Sequence, residues 1–189
     1  MKMKDLKHWP RLSTHTLFTH HFFTILEDIV RLPSGQLGRW WRFSDGPDFV
    51  TIIPMNEQGA VLVSYQYNNA PQRVVAEFAG GGVNEGESYA EAAQRELMEE
   101  VGYYAHDLRE IGSFLYQNRH SGRRCRVYVA TCLEVRKLAH DEAEFIETEW
   151  VDVPALDRRI ACGEIDNGIM LATWCIFKAT GYDSLTDRR

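Results

Sequence analysis

The chain has 189 residues, 44% of them apolar and 25% charged, with a formal net charge of −6. That balance suits one soluble domain, with or without a small appendage. It gives no long-range attraction to nucleic acid, and no stretch approaches the roughly 18 apolar residues of a membrane span. An anionic small molecule would therefore have to be held by metal ions or by locally clustered arginines.

The first ten residues, MKMKDLKHWP, are basic but have no apolar run behind them, and do not read as a signal peptide. Leu17 to Phe43 is rich in aromatic residues: LFTHHFFTILEDIVRL, a turn at Pro33-Ser34-Gly35, then LGRWWRF. This predicts a hairpin or a small antiparallel sheet. His15, His20 and His21 lie close together in it, and are read as a solvated strand face. Ser44-Asp45-Gly46-Pro47 is a strong turn, so a β subdomain is expected over residues 1–45 and the main domain over 46–189. In the main domain DFVTIIPM and AVLVSYQY read as strands joined by Asn56-Glu57-Gln58-Gly59, and RVVAEFA as a third. The glycines Gly80, Gly81 and Gly82 read as a loop entering a helix. Ser88 is its expected N-cap and Glu91 the capping-box partner. Ala93, Leu97 and Val101 make its apolar stripe, and Gly102 ends it. Strands are predicted at IGSFLYQ, CRVYVATCLEV and ETEWVDV, a short helix from Pro154, and a last helix over 167–180. With no steady βα alternation, the expected class is α+β (mixed α/β). Cys125, Cys132, Cys162 and Cys175 form no C-x-x-C pair and match no zinc spacing. They read as reduced thiols in a cytoplasmic protein.

The segment GGVNEGESYAEAAQRELMEEVGY, from Gly81 to Tyr103, carries the chemistry. Glu96, Glu99 and Glu100 stand at i, i+3 and i+4, where like charges cost a helix roughly 0.2–0.5 kcal/mol per pair. Arg95 is the only basic residue in that helix. One reading is a solvated glutamate face. The other is a magnesium site, since a hard cation wants several carboxylate oxygens at one point. Glycines that let backbone approach a phosphate or metal favour the second.

These residues resemble the Nudix box: Gly, five residues, Glu, seven residues, Arg-Glu-apolar-any-Glu-Glu-any-Gly-apolar. Gly81, Glu87, Arg95, Glu96, Leu97, Glu99, Glu100 and Gly102 occupy its fixed positions, and Tyr103 stands where an aliphatic residue is usual. The resemblance implies a Nudix-type α/β/α sandwich. It implies Mg²⁺, with Mn²⁺ able to substitute, on Glu96, Glu99, Glu100 and the Gly80 carbonyl. Arg95 would orient a glutamate of the box, and Gly81 and Gly82 would lie against substrate.

The flanks VLVSYQYNNA, VVAEFAGG and GEIDNGIMLATWCIFK look like the ADP-ribose and nucleotide-sugar hydrolase branch. That implies an N-terminal β subdomain exchanged in a homodimer, a general base at Glu142 and a further metal ligand at Glu144. The expected activity is hydrolysis of a nucleoside diphosphate derivative to a nucleoside monophosphate and a sugar phosphate, with no nucleic-acid or membrane partner. Two positions depart from the branch. Asn68 follows Gln66-Tyr67 where arginine is usual, and Ala79 replaces a proline. Arg73, or one of Arg119, Arg123 and Arg124, could supply the missing cation. A hydrolase of dinucleoside polyphosphates or nucleoside triphosphates, and a non-catalytic ADP-ribose sensor, are the alternatives.

Overall fold

The computed structural model describes residues 8–136 and 145–182. The chain divides into two compact units, one formed by residues 1–46 with 117–123, the other by 47–116 with 124–189.

The first unit is a three-stranded antiparallel meander of β1 (Arg11–Thr19), β2 (Thr24–Arg31) and β3 (Leu37–Phe43). The run predicted as LFTHHFFTILEDIVRL is therefore two strands. His20 and Phe23 close a tight turn between them through paired backbone bonds of 2.8 and 3.2 Å. That turn contains no Gly, Pro or Asn, the usual marks of a turn in a sequence. Asp28 is buried in this sheet and receives Thr14 Oγ1 at 2.7 Å and Arg42 Nε at 2.7 Å, with Arg11 Nε at 3.0 Å. Burial alone would push its carboxyl upward, but the hydroxyl and the two guanidinium groups outweigh it and hold it below the usual range. His15, His20 and His21 are exposed. Among the described residues no three His, Cys, Asp or Glu side chains gather as a metal site.

The second unit is an α+β fold. Strands β4 (Phe49–Pro54), β5 (Val61–Asn68), β6 (Arg73–Glu77) and β7 (Ala79–Gly82) precede helix α1 (Tyr89–Glu100). Strands β8 (Tyr103–Leu115), β9 (Arg124–Val135) and β10 (Ile146–Val151) follow, then helices α2 (Val153–Ala161) and α3 (Gly168–Ala179). One sheet runs β7-β4-β9-β8 and the other β10-β5-β6; among the described residues only the β4–β9 pair is parallel. Alternation along β4 sorts the core. Val50 and Ile52 pack with Ala92, Ala93 and Leu97 of α1, whereas Ile53 and Met55 pack with Leu156 of α2 and Met170, Trp174 and Phe177 of α3. Helices thus cover strands from both sides, the α/β/α arrangement of the resemblance.

Two elements differ from the sequence reading. The glycines 80–82 are strand, not loop: β7 pairs with β4, Gly80 opposite Thr51 and Gly81 opposite Val50. A side chain at Gly80 would strike the Val50 carbonyl, so only glycine lets the two backbones lie this close. Strand β8 starts directly after Gly102, well before the predicted IGSFLYQ, because Ala105 and Leu108 pack into the α1 core between exposed polar residues.

Helix α1 begins at the Ser88–Glu91 capping box. Ser88 Oγ accepts from Glu91 N at 3.2 Å and Glu91 Oε2 from Ser88 N at 2.9 Å. Gly102 ends it at φ +76°. Replacing Ser88 by Ala is expected to cost about 1 kcal/mol, a melting-temperature loss of roughly 2–4 °C readable by calorimetry. Among the described residues no helix is long and apolar enough to cross a membrane.

Candidate active site

Strand β7 and helix α1 bring the box together. Arg95 is the hub. Its Nε and one terminal nitrogen hold the two Glu87 oxygens at 2.9 and 3.0 Å, and the same terminal nitrogen donates to the Gly82 carbonyl at 2.9 Å. The other terminal nitrogen reaches Glu96 Oε1 at 2.7 Å and Glu99 Oε2 at 3.0 Å. Hydrogen bonding to Glu87, more than any other cause, keeps the guanidinium charged, and Arg95 in turn holds the Glu87 carboxyl below the usual range. Glu100 turns to the strand and accepts from Gly80 N at 2.9 Å. Glu96 is buried, with its carboxylate where a side chain on Gly81 would be. Gly81→Ala is therefore expected to displace Glu96, lowering turnover and metal affinity at a cost of about 1–3 kcal/mol in strain. A magnesium titration of activity reads this directly.

The charges suit a cation. Glu87, Glu96 and Glu99 meet one guanidinium and Glu100 lies beside them on the Gly80 N–H, an excess of three formal negative charges over the one arginine. The donors are all hard oxygens, the set preferred by Mg²⁺ and similar ions. Arg95 holds Glu96 and Glu99, and among the described residues no three metal-ligating side chains converge unaided. The residues fit a divalent ion that would draw Glu96 and Glu99 toward Glu100 and the Gly80 carbonyl.

Further polar groups fasten the helix start to the sheet. Tyr89 Oη donates to Asp48 Oδ2 at 3.0 Å, Arg124 N to Asp48 Oδ1 at 2.8 Å, and the Arg126 guanidinium lies over the Tyr89 ring at 4.5 Å. Arg73 is at the start of β6, where one nitrogen donates to both Asp166 oxygens at 2.6 and 2.7 Å. Arg124 is bonded to Ser113 Oγ at 2.9 Å, and Arg119 and Arg123 belong to the first unit. Glu142 and Glu144 lie outside the described residues.

A cavity of about 290 Å³ opens beside Gly80 and Gly81, lined also by Phe49, Phe78, Tyr116 and Met170 and by the polar Asn68, Glu77 and Asn167. Glu77 Oε1 accepts from Asn68 Nδ2 at 2.9 Å and from Asn167 Nδ2 at 3.3 Å. Burial pushes the Glu77 carboxyl above the ordinary glutamate range, and the two amides offset this only in part. The sequence reading missed Glu77 and Asn167. Asn167 was legible as a helix cap: its Oδ1 accepts from Ile169 N at 2.9 Å and Met170 N at 3.2 Å, which leaves the amide nitrogen for Glu77.

The NUDIX domain model matches residues 47–172. The chain is 32% identical over 164 residues to the ADP-ribose pyrophosphatase of Mycobacterium tuberculosis (strain ATCC 25618 / H37Rv), spanning 85% of this chain and 79% of that protein. It is 32% identical over 142 residues to the ADP compounds hydrolase NudE of Escherichia coli (strain K12), spanning 75% of this chain and 76% of that protein. A crystal structure of an ADP compounds hydrolase superposes with a TM-score of 0.87 over 96% of this chain and 98% of that one, at 20% identity. The intact box and these likenesses agree: this chain belongs to the Nudix family of hydrolases.

Proposed function

We propose that the chain hydrolyses the diphosphate linkage of ADP-ribose or a nucleotide sugar with the help of Mg²⁺, giving a nucleoside monophosphate and a sugar phosphate. The observation that carries this reading is the carboxylate excess on α1 set against the Gly80–Gly81 backbone of β7. The names of the relatives, one an ADP-ribose pyrophosphatase and one a hydrolase of ADP compounds, support the substrate class.

A divalent ion held there would supply charge neutralisation at the diphosphate and a more acidic water. The chain's own residues do the rest. Glu96, Glu99 and Glu100 with the Gly80 carbonyl would hold the ion, and Arg95 keeps Glu87 and those carboxylates oriented. Glu142 takes the proton of the attacking water and Glu144 adds a ligand. The water oxygen bonds to one phosphorus as the bridging P–O bond breaks, and the other phosphate leaves with that bond's electrons.

The acting form is a homodimer paired through the first unit. Leu17, Phe18, Phe22, Leu37, Trp40 and Trp41 are all exposed there, apolar side chains that a second copy would cover. Light scattering on wild type and Phe22→Asp is expected to give a dimer and a monomer. Four unpaired cysteines fit a reducing, cytoplasmic setting.

The test is a phosphate-release screen with magnesium and a coupled phosphatase over ADP-ribose, ADP-glucose, GDP-mannose, UDP-glucose, diadenosine polyphosphates and nucleoside triphosphates. Preferred cleavage of a nucleotide sugar is expected. Cleavage confined to triphosphates or dinucleotides refutes the substrate class. ADP-ribose raising the melting temperature without being cleaved makes the protein a sensor.

A further inference from the structure

The arginine usual after Gln-Tyr is replaced by Asn68, and the structure shows what the asparagine does. It donates to Glu77 Oε1, the same oxygen that receives Asn167, so three neutral or acidic side chains from β5, β6 and the cap of α3 form one polar wall. No described residue hydrogen-bonds to Glu77 Oε2, and this oxygen is not among the buried atoms without a partner. Glu77 lines the cavity, so the remaining oxygen is the acceptor that wall offers to a ligand.

Three observations define what that ligand is. The space, about 290 Å³, holds the liquid volume of roughly ten water molecules, room for a sugar ring. At its other side are Gly80 and Gly81, beside the box carboxylates. A group bonded directly to a diphosphate held at the box would reach this space, and on both sides of a nucleotide sugar that group is a sugar. Phe49 and Tyr116 meet edge to face at 5.1 Å and 70°, so these two rings do not form a parallel pair that would sandwich a base.

We propose that Glu77 is a specificity-determining residue whose Oε2 accepts a hydrogen bond from a hydroxyl of the sugar attached to the diphosphate. Asn68 and Asn167 are positioning residues that aim it. A carboxylate in neutral surroundings suits a hydroxyl donor and repels a further phosphate, so the wall selects polyol rings over longer phosphate chains. This rests on the hydrolase reading above and adds the group that is read.

The experiment uses the full chain with magnesium. The substrates are ADP-ribose and ADP-glucose, and their analogues lacking one hydroxyl on the adenosine ribose or on the distal sugar. In wild type, loss of the hydroxyl read by Glu77 is expected to raise KM about 10–100-fold. The position of that deoxy analogue tells which of the two sugars occupies the cavity. Glu77→Gln keeps an oxygen for both amides but replaces the open acceptor with a donor, so that penalty should shrink to near unity. Glu77→Asp, still an acceptor, should retain part of it. Asn68→Ala should shift the same discrimination by a smaller factor, raising KM more than it lowers kcat. Melting temperatures report folding for each variant. If every deoxy analogue suffers equally in wild type and Glu77→Gln, this inference is overturned and hydrolysis stands. If wild type cleaves no nucleotide sugar, both fall.

Discussion

Glu100→Gln is expected to lower kcat by about 10³-fold, which corresponds to roughly 4 kcal/mol of lost transition-state stabilisation. The protein should fold normally, because the glutamine oxygen can still accept from Gly80 N. What is lost is a formal negative charge where the carboxylates of α1 meet the Gly80 backbone. A magnesium titration should show weaker activation and a lower plateau, with the melting temperature of the metal-free protein little changed or raised, since one of several crowded carboxylates has become neutral. Near-wild-type turnover in this variant would remove Glu100 from the metal site.

The second large effect is on stability. Arg95→Ala leaves Glu87 and Glu96 largely buried with no guanidinium, and frees the Gly82 carbonyl. Breaking a fully buried pair costs about 3–5 kcal/mol. Here the arginine side chain is 23% exposed, so solvent recovers part of that. About 2–3 kcal/mol is the expected loss, a drop of roughly 5–10 °C in melting temperature for a chain of this size. The drop should be larger in chelator than in magnesium, since a bound cation replaces part of the missing positive charge. Arg95→Lys should rescue little. One ammonium cannot reproduce a planar fork that meets Glu87 twice and also reaches Glu96, Glu99 and Gly82. An equal loss of melting temperature with and without magnesium would mean that Arg95 and the ion do not share carboxylates.

The sequence exposed those features whose physics is local. The Ser88–Glu91 box and the left-handed Gly102 each act within a few residues, so composition and spacing were enough. The carboxylates of α1 were legible for the same reason, being one helix turn apart. The Glu77 wall was not, because Asn68, Glu77 and Asn167 come from three elements and meet only when β5, β6 and α3 pack. Asn68 could be seen as a departure from the family pattern, but not as a partner of Glu77. The glycines of β7 misled the reading because glycine ordinarily weakens a strand; here close approach to the Val50 carbonyl requires it. The first half of β8 was hidden by outward-facing His106, Asp107, Arg109 and Glu110.

The parallel pairing of β4 with β9 has a consequence for how the site is made. Phe49 lies opposite Cys125 and Pro54 opposite Ala130, so β4, which carries β7 on one edge, is held on the other by a strand far along the chain. Contacts of such long sequence separation are slow to form, because loop closure precedes any gain from them. During synthesis the whole box, from Gly81 to Tyr103, is made before the strand that braces its support. A nascent chain can thus hold every box residue while its catalytic framework is unbuilt. Ordering of Gly80 against Glu100 should then coincide with the late, rate-limiting phase of folding and not with early helix formation.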